Sequence, residues 1–200
     1  MPAPIDFYFD FASPYGYIAS HKIDALAAKH GREATWRPFL LGAAFKITGG
    51  AAPVAFPIKG EYFIRDFARS ARFHGVPYKY PSKFPISSVA PTRAFYWLNA
   101  RDPKRAKDLV RALYAAYFTA DVDISDAEQT IRVAASAGLN ADEVRAGIND
   151  PAVKELTKVE VEKAIAAGAF GSPYIVIDDE PFWGADRLDQ VERWLATGGF

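Results

Sequence analysis

The chain has 200 residues, half of them hydrophobic, and its 24 basic residues balance 24 acidic ones to a formal net charge of zero. That length suits one domain, or one domain carrying a large insertion, with material for a substantial core. The balance offers no basic excess for a nucleic-acid partner, and the absence of cysteine removes disulfides, cysteine metal sites and cysteine nucleophiles together.

Residues 1–6 lack the basic and apolar regions of a signal peptide. No apolar run approaches the ~20 residues of a membrane span, so a soluble cytoplasmic protein with no membrane partner is expected. Ile5 to Phe9 reads as a short buried strand rich in aromatics. Ser13 then has N-cap chemistry, and Pro14 suits the first helical position. Tyr15, Ile18, Ala19, Ile23, Leu26 and Ala27 recur at three- and four-residue steps, which predicts one helix running to a cap at Gly31. Glu33 to Arg37 reads as a second strand ended by Pro38, completing a right-handed β-α-β unit.

From Leu41 to Pro57 the pattern dissolves into Gly, Ala and Pro, a loop or loosely helical arm. From about Gly60 to Gly168 the sequence is almost purely helical. Phe63, Phe67 and Ala71 mark a helix ended by Gly75-Val76-Pro77, and Pro81 to Pro85 is a loop. Ser88 to Asn99 is a further helix, and Leu109, Leu113 and Tyr117 mark another. Ser125-x-x-Glu128 and Asn140-x-x-Glu143 read as capping boxes, and Asp150-Pro151 as a cap followed by a first-turn proline. Strands return at Tyr174–Ile177 and Pro181–Trp183, a hairpin around 178–180. Asp186 is expected to cap the last helix, whose Leu188, Val191, Trp194 and Leu195 form one face. The order is that of an α/β thioredoxin-like fold with a large all-helical insertion between its β-α-β and β-β-α halves. Residues 1–40 and 169–200 are the expected thioredoxin-like domain, 60–168 the inserted helical domain and 41–59 the connecting arm. The cleft between the parts is the expected small-molecule site.

Such a fold carries its reactive Cys-x-x-Cys where the first strand meets the first helix. Here Ser13 and Gly16 fill those two slots. Ser172-Pro173, just before a strand, stands where the fold presents a cis-proline opposite the reactive helix. A cis X-Pro bond bares the backbone of the preceding residue for pairing with a peptide-like ligand. If thiol chemistry happens here, the sulfur comes from outside. A hydroxyl at a helix N-terminus favours negative charge and would hold a bound thiolate ionised, well below the free-thiol pKa of about 8.5; Ser13 read alone is first a plain N-cap, and its companion Ser172-Pro173 turns the reading toward the thiolate. A serine triad would need a histidine in reach. His21, His30 and His74 are not placed as partners, no G-x-S-x-G occurs, and no metal-ligand spacing exists. Trp183, Gly184, Ala185 and Asp186 could hold the charged ends of a γ-glutamyl group. Lys46 could neutralise a substrate carboxylate or be plain surface, and Phe45, Tyr80, Phe84, Phe182 and Trp183 could line a pocket for a flat ligand or be core.

The blocks from Asp6 to Tyr15, Phe170-Gly171-Ser172-Pro173 and Trp183-Gly184-Ala185-Asp186-Arg187-Leu188 resemble the 2-hydroxychromene-2-carboxylate isomerases, relatives of kappa-class glutathione transferases. The resemblance runs along nearly the whole chain. It implies a glutathione-dependent, dimeric isomerase of bacterial aromatic catabolism, such as naphthalene breakdown. It puts Ser13 beside the glutathione sulfur and makes Ser172, Pro173 and Trp183 to Asp186 the glutathione-holding positions. It places Lys46 and Phe84 in the pocket for a small aromatic carboxylate, Phe84 standing where the family has tyrosine. The implied reaction is thiolate addition, rotation about the new single bond, and elimination of the trans benzylidenepyruvate, with glutathione as cofactor and no metal. Ala51, Ala52 and Ala55 replace polar residues of the family, and Ser87-Ser88 replace an Asn-Thr pair. Two other readings stand beside it: a kappa-like transferase using the same Ser13, and a non-catalytic thioredoxin-like binding module. A dithiol oxidoreductase is excluded by the lack of cysteine.

Overall fold

The computed structural model describes residues 3–200, so the first two residues of the expected 1–40 range lie outside it. Four strands form one mixed sheet in the order β2-β1-β3-β4. β1 (Ile5–Phe9) pairs parallel with β2 (Ala34–Pro38) and antiparallel with β3 (Tyr174–Ile177), which pairs antiparallel with β4 (Glu180–Trp183). The chain leaves the sheet after β2 and returns only at β3.

Alternation along β1 sets the two faces of the sheet. Ile5, Phe7 and Phe9 point into the larger core, and Tyr8 points into a second, smaller one. Phe9 meets Trp36, Phe11, Phe95 and Tyr114 with ring centroids 5.4–6.3 Å apart. Such aromatic contacts add about 0.5–1.5 kcal/mol each beyond area burial. Phe95 belongs to α5 (Val89–Asn99) and Tyr114 to α6 (Pro103–Ala120), so the helical block is seated on the sheet through this cluster. The Tyr96 hydroxyl adds a polar tie, donating to the Pro38 carbonyl at 2.7 Å. On the opposite face Tyr8 and Tyr174 pack against Val161 and Ala164 of α9 (Pro151–Ala166).

The predicted first helix is two. α1 (Pro14–Ser20) and α2 (Ile23–Lys29) are separated at His21-Lys22, and Gly31 follows α2 with φ +66°. The periodicity hides the break because buried positions continue on both sides of it. The arm contains a regular helix, α3 (Leu41–Thr48), then a 3₁₀ turn at Pro53–Ala55, before α4 (Lys59–His74). Two cap assignments are corrected. α7 (Ala127–Ser136) starts at Asp126, whose side chain accepts from the Glu128 amide, while Ser125 instead donates to Asp123. The last helix, α10 (Leu188–Thr197), has no side-chain cap, because Asp186 lies in a preceding 3₁₀ turn, Ala185–Arg187. Asn140 caps α8 (Ala141–Asn149) and Asp150 caps α9 as expected. The β3-β4 hairpin turns on Asp178-Asp179, both at positive φ, the geometry of a two-residue turn matched to strand twist.

Candidate active site

Three segments meet at the C-terminal end of β1: the β1-α1 turn, the start of α3 and the turn before β3. Ser13 is the N-cap of α1. Its Oγ accepts from the Gly16 amide at 3.0 Å and donates to the Ser172 carbonyl at 2.8 Å. The Ser172-Pro173 bond is cis, as is Phe84-Pro85. Ser172 Oγ in turn accepts from the Asp10 amide at 2.9 Å. Ser13 and Ser172 are both buried, about 6–7% exposed. Residues 159 positions apart in sequence therefore share one hydrogen bond at the tip of α1.

Gly16 makes that approach possible. A Cβ there would lie 2.6 Å from Ser172 Oγ and 2.9 Å from the Tyr114 hydroxyl. Tyr114 donates to the Asp10 carbonyl at 2.9 Å. Burial, then the nearby Asp10 charge, pushes its phenol far up, so it stays a donor.

Asp10 lies inside the Asp6–Tyr15 block, where the sequence alone assigns it no role. It is buried, and its carboxylate accepts from the Ala12 and Leu41 amides, each at 2.7 Å. Burial pushes its pKa up, and hydrogen bonds from those two amides and the Ser88 hydroxyl partly offset that. Its importance is tertiary: nothing in a strand-turn-helix pattern shows that a later segment will bring an amide to it.

Tyr15, two residues past Ser13, donates to the Asp66 carboxylate of α4, which Arg69 and Ser70 also engage. Burial, then Asp66, raises the Tyr15 phenol, with a further contribution from Asp186. The sequence alone gives no sign of this network, because Asp66 lies 51 residues from Tyr15.

Trp183 and Gly184 adjoin the cis-proline. The Gly184 amide donates to the Pro173 carbonyl at 3.0 Å, and a Cβ on Gly171 would meet the Trp183 indole at 2.1 Å. The Trp183 ring also packs on Phe170 at 4.8 Å and remains 56% exposed. Ala185 is buried, while the Asp186 side chain is 74% exposed, with Arg187 at 3.6 Å. Phe84 belongs to a chain of rings running back to the site: it packs on Tyr80 at 5.4 Å and Phe67 at 5.8 Å, and Phe67 packs on Tyr15 at 5.1 Å. Lys46 is exposed on the last turn of α3; no hydrogen bond brings it to Ser13. Phe182 faces the core against Trp194. His21 packs on Tyr17 and none of the three histidines contacts Ser13; among the described residues no acidic and histidine cluster suits a metal.

A family model for the DSBA-like thioredoxin domain matches residues 4–196. The chain is 32% identical over 197 residues to the 2-hydroxychromene-2-carboxylate isomerase of Sphingobium xenophagum, covering 98% of this chain and 99% of that one. It is 26% identical to glutathione S-transferase kappa 2 of Caenorhabditis elegans, covering 96% of this chain and 91% of the relative. A solved 2-hydroxychromene-2-carboxylate isomerase superposes with a TM-score of 0.87 at 24% identity, over 97% of this chain and 95% of the other, and shares its fold. The fold is thus thioredoxin-like with the helical block set between its two halves. With Ser13 where a dithiol would stand and a cis-proline facing it, the chain belongs to the DSBA-like thioredoxin family and, within it, to the isomerase enzymes represented by 2-hydroxychromene-2-carboxylate isomerase.

Proposed function

We propose that this enzyme is a glutathione-dependent isomerase of 2-hydroxychromene-2-carboxylate or a similar aromatic ring-cleavage product, yielding the trans benzylidenepyruvate. The observation that carries the reading is the Ser13 hydroxyl, an N-cap hydrogen-bonded to Ser172 beside cis Pro173, in a chain with no cysteine. The residues fit glutathione. Gly16 lets Ser172 approach the tip of α1 where a Cβ would clash with it, and Asp186 is an exposed carboxylate not used as a helix cap.

Bound glutathione supplies a thiol that, once ionised, adds reversibly to a conjugated carbon. Ser13 holds that negative charge: its hydroxyl is the donor, and the first-turn amides and dipole of α1 act in the same direction. To serve the sulfur, Ser13 must give up or share the hydrogen it donates to the Ser172 carbonyl. Ser172 and Pro173 offer the backbone edge for a tripeptide. Trp183, Gly184, Ala185 and Asp186 hold the γ-glutamyl end, with Asp186 as partner of its ammonium. Lys46 faces the substrate carboxylate, and Phe84, backed by Phe67 and Tyr80, is the ring wall. The same reading includes a cytoplasmic homodimer serving aromatic hydrocarbon catabolism, naphthalene breakdown among its routes. Among the described residues no helix is long and apolar enough to cross a membrane.

A transferase of kappa type is the second reading, favoured by the relatives of that name. The test is direct. Dialysed protein should be inactive on 2-hydroxychromene-2-carboxylate until glutathione is added. Full activity with no thiol present refutes the cofactor; conjugation of a halonitroarene without isomerisation selects the transferase.

A further inference from the structure

Asp10 holds together more of the site than any other residue, yet its carboxylate is too enclosed to meet a ligand. Each polar group on it is assigned. Oδ1 accepts from Ala12 in the turn before Ser13, and Oδ2 accepts from Leu41, the first residue of α3. The amide donates to Ser172 Oγ. The carbonyl accepts from the Ser13 amide at 2.9 Å and from the Tyr114 hydroxyl at 2.9 Å.

The Leu41 contact is the informative one. Leu40, the N-cap of α3, makes no side-chain cap bond. The orphan donors of a helix start need a partner, and here it comes from a strand end 31 residues earlier. Only Ala44 of α3 is fully buried, with Leu41 and Ala43 half-buried against the smaller core. The far end of α3 carries Lys46 and runs into Gly49, a left-handed cap.

The charge itself is a liability. Burial raises the Asp10 pKa, and two amides and a hydroxyl, with no cation, are what offset it. Tyr114 from α6 and Ser88 before α5 are the side chains facing it. A buried anion near the place where a thiolate must form opposes that thiolate. A residue kept there against its own electrostatics has its use in geometry.

We infer that Asp10 is a positioning residue whose carboxylate locks the turn carrying Ser13 to the start of α3, so that the serine hydroxyl and the Lys46 arm meet a ligand in one fixed arrangement. This rests on the glutathione reading above only for its kinetic consequences; the clamp stands without it. Misplacing a reacting group by about 1 Å can cost on the order of 100-fold in rate.

Two substitutions separate the two arms of the clamp. Asp10→Asn keeps the size but turns one acceptor into a donor facing an amide. Leu41→Pro deletes the α3 amide, and with it the half-buried Leu41 side chain, at a first helical position where proline is tolerated, after a residue already extended at φ −108°, ψ 107°. Asp10→Asn should lower kcat at least tenfold and move the ionisation midpoint of bound glutathione, read from thiolate absorbance, to higher pH. Leu41→Pro should raise KM for the carboxylate substrate severalfold and leave that midpoint in place. Hydrogen exchange, which needs no ligand, should quicken at residues 12–13 and 41–44 in Asp10→Asn and only at 42–44 in Leu41→Pro, where position 41 has no amide hydrogen. A midpoint moving to lower pH in Asp10→Asn, the bare response to losing a negative charge, overturns the proposal. So does unchanged exchange at 42–44 in both variants. If Asp10→Asn fails to fold, the Leu41→Pro results decide alone. If the wild-type protein binds no glutathione, the cofactor reading falls, and the exchange pattern still judges the clamp.

Discussion

Replacing Ser13 by alanine separates its two roles. As an N-cap accepting from Gly16, the side chain contributes about 1 kcal/mol to helix stability, so Ser13→Ala should fold with a modestly lower melting temperature. On the proposed function it also serves as donor to a bound thiolate, a role worth far more to rate. Loss of one such donor costs roughly 100- to 1000-fold in kcat, and the pH at which bound glutathione ionises should rise, since the charged form loses a hydrogen bond. Steady-state kinetics and an ultraviolet titration would read both; unchanged kinetics remove Ser13 from the mechanism. Gly16 makes a sharper case. By helix propensity alone, Gly16→Ala should stabilise by about 1 kcal/mol. The new Cβ would instead sit 2.6 Å from Ser172 Oγ and 2.9 Å from the Tyr114 hydroxyl, both buried, so we expect lower thermal stability and loss of activity. A higher melting temperature with full turnover would show that the hydroxyl cluster gives way freely.

At the level of elements, the sequence was most legible where local chemistry is decisive. The β1-helix-β2 order, the Ser13 cap with its following proline, the Asp178-Asp179 hairpin and the Asn140 and Asp150 caps all follow from side chains acting on their own backbone. It was least legible where a distant segment decides. The break at His21-Lys22 falls inside continuous apolar spacing. α3 forms from a Gly- and Ala-rich run, and its first amide is taken by Asp10 from another element. Ser125 and Asp126 are both plausible caps, and the structure selects Asp126 because Ser125 is bound to Asp123. That selection is testable: Asp126→Ala should lower unfolding free energy by about 1 kcal/mol in a denaturant titration, with Ser125→Ala costing less. The reverse order would restore the capping-box reading. For the site itself, the two serines and the proline could be read from fold order, while Asp10, Asp66 and Tyr114 could not, because their partners lie 31 to 104 residues away.

Across the whole molecule, charged ties between layers make stability depend on pH. Burial raises the Asp66 carboxyl, but hydrogen bonds from Tyr15, Arg69 and Ser70 outweigh it and hold its pKa below the usual aspartate value. A group with a lowered folded pKa contributes stability that is present above its unfolded value, about 3.9, and lost as pH falls through the folded one. The tie between α1 and α4 should therefore weaken in acid. Asp10 acts in the opposite sense, since its raised pKa means that protonation relieves a burial cost. Melting temperatures measured from neutral to acid pH should fall in the wild type and fall less steeply in Asp66→Asn. Parallel curves would show that this pairing contributes nothing to the acid limb.

The bond between Ser13 and the Ser172 carbonyl spans 159 residues, and that span has a consequence for biosynthesis. A ribosome releases Ser13 159 residues before Ser172. Until the closing hairpin emerges, the nascent polypeptide has a helix tip with nothing opposite it. Truncated products from premature termination before residue 172 would be inert toward thiols however well their helices fold.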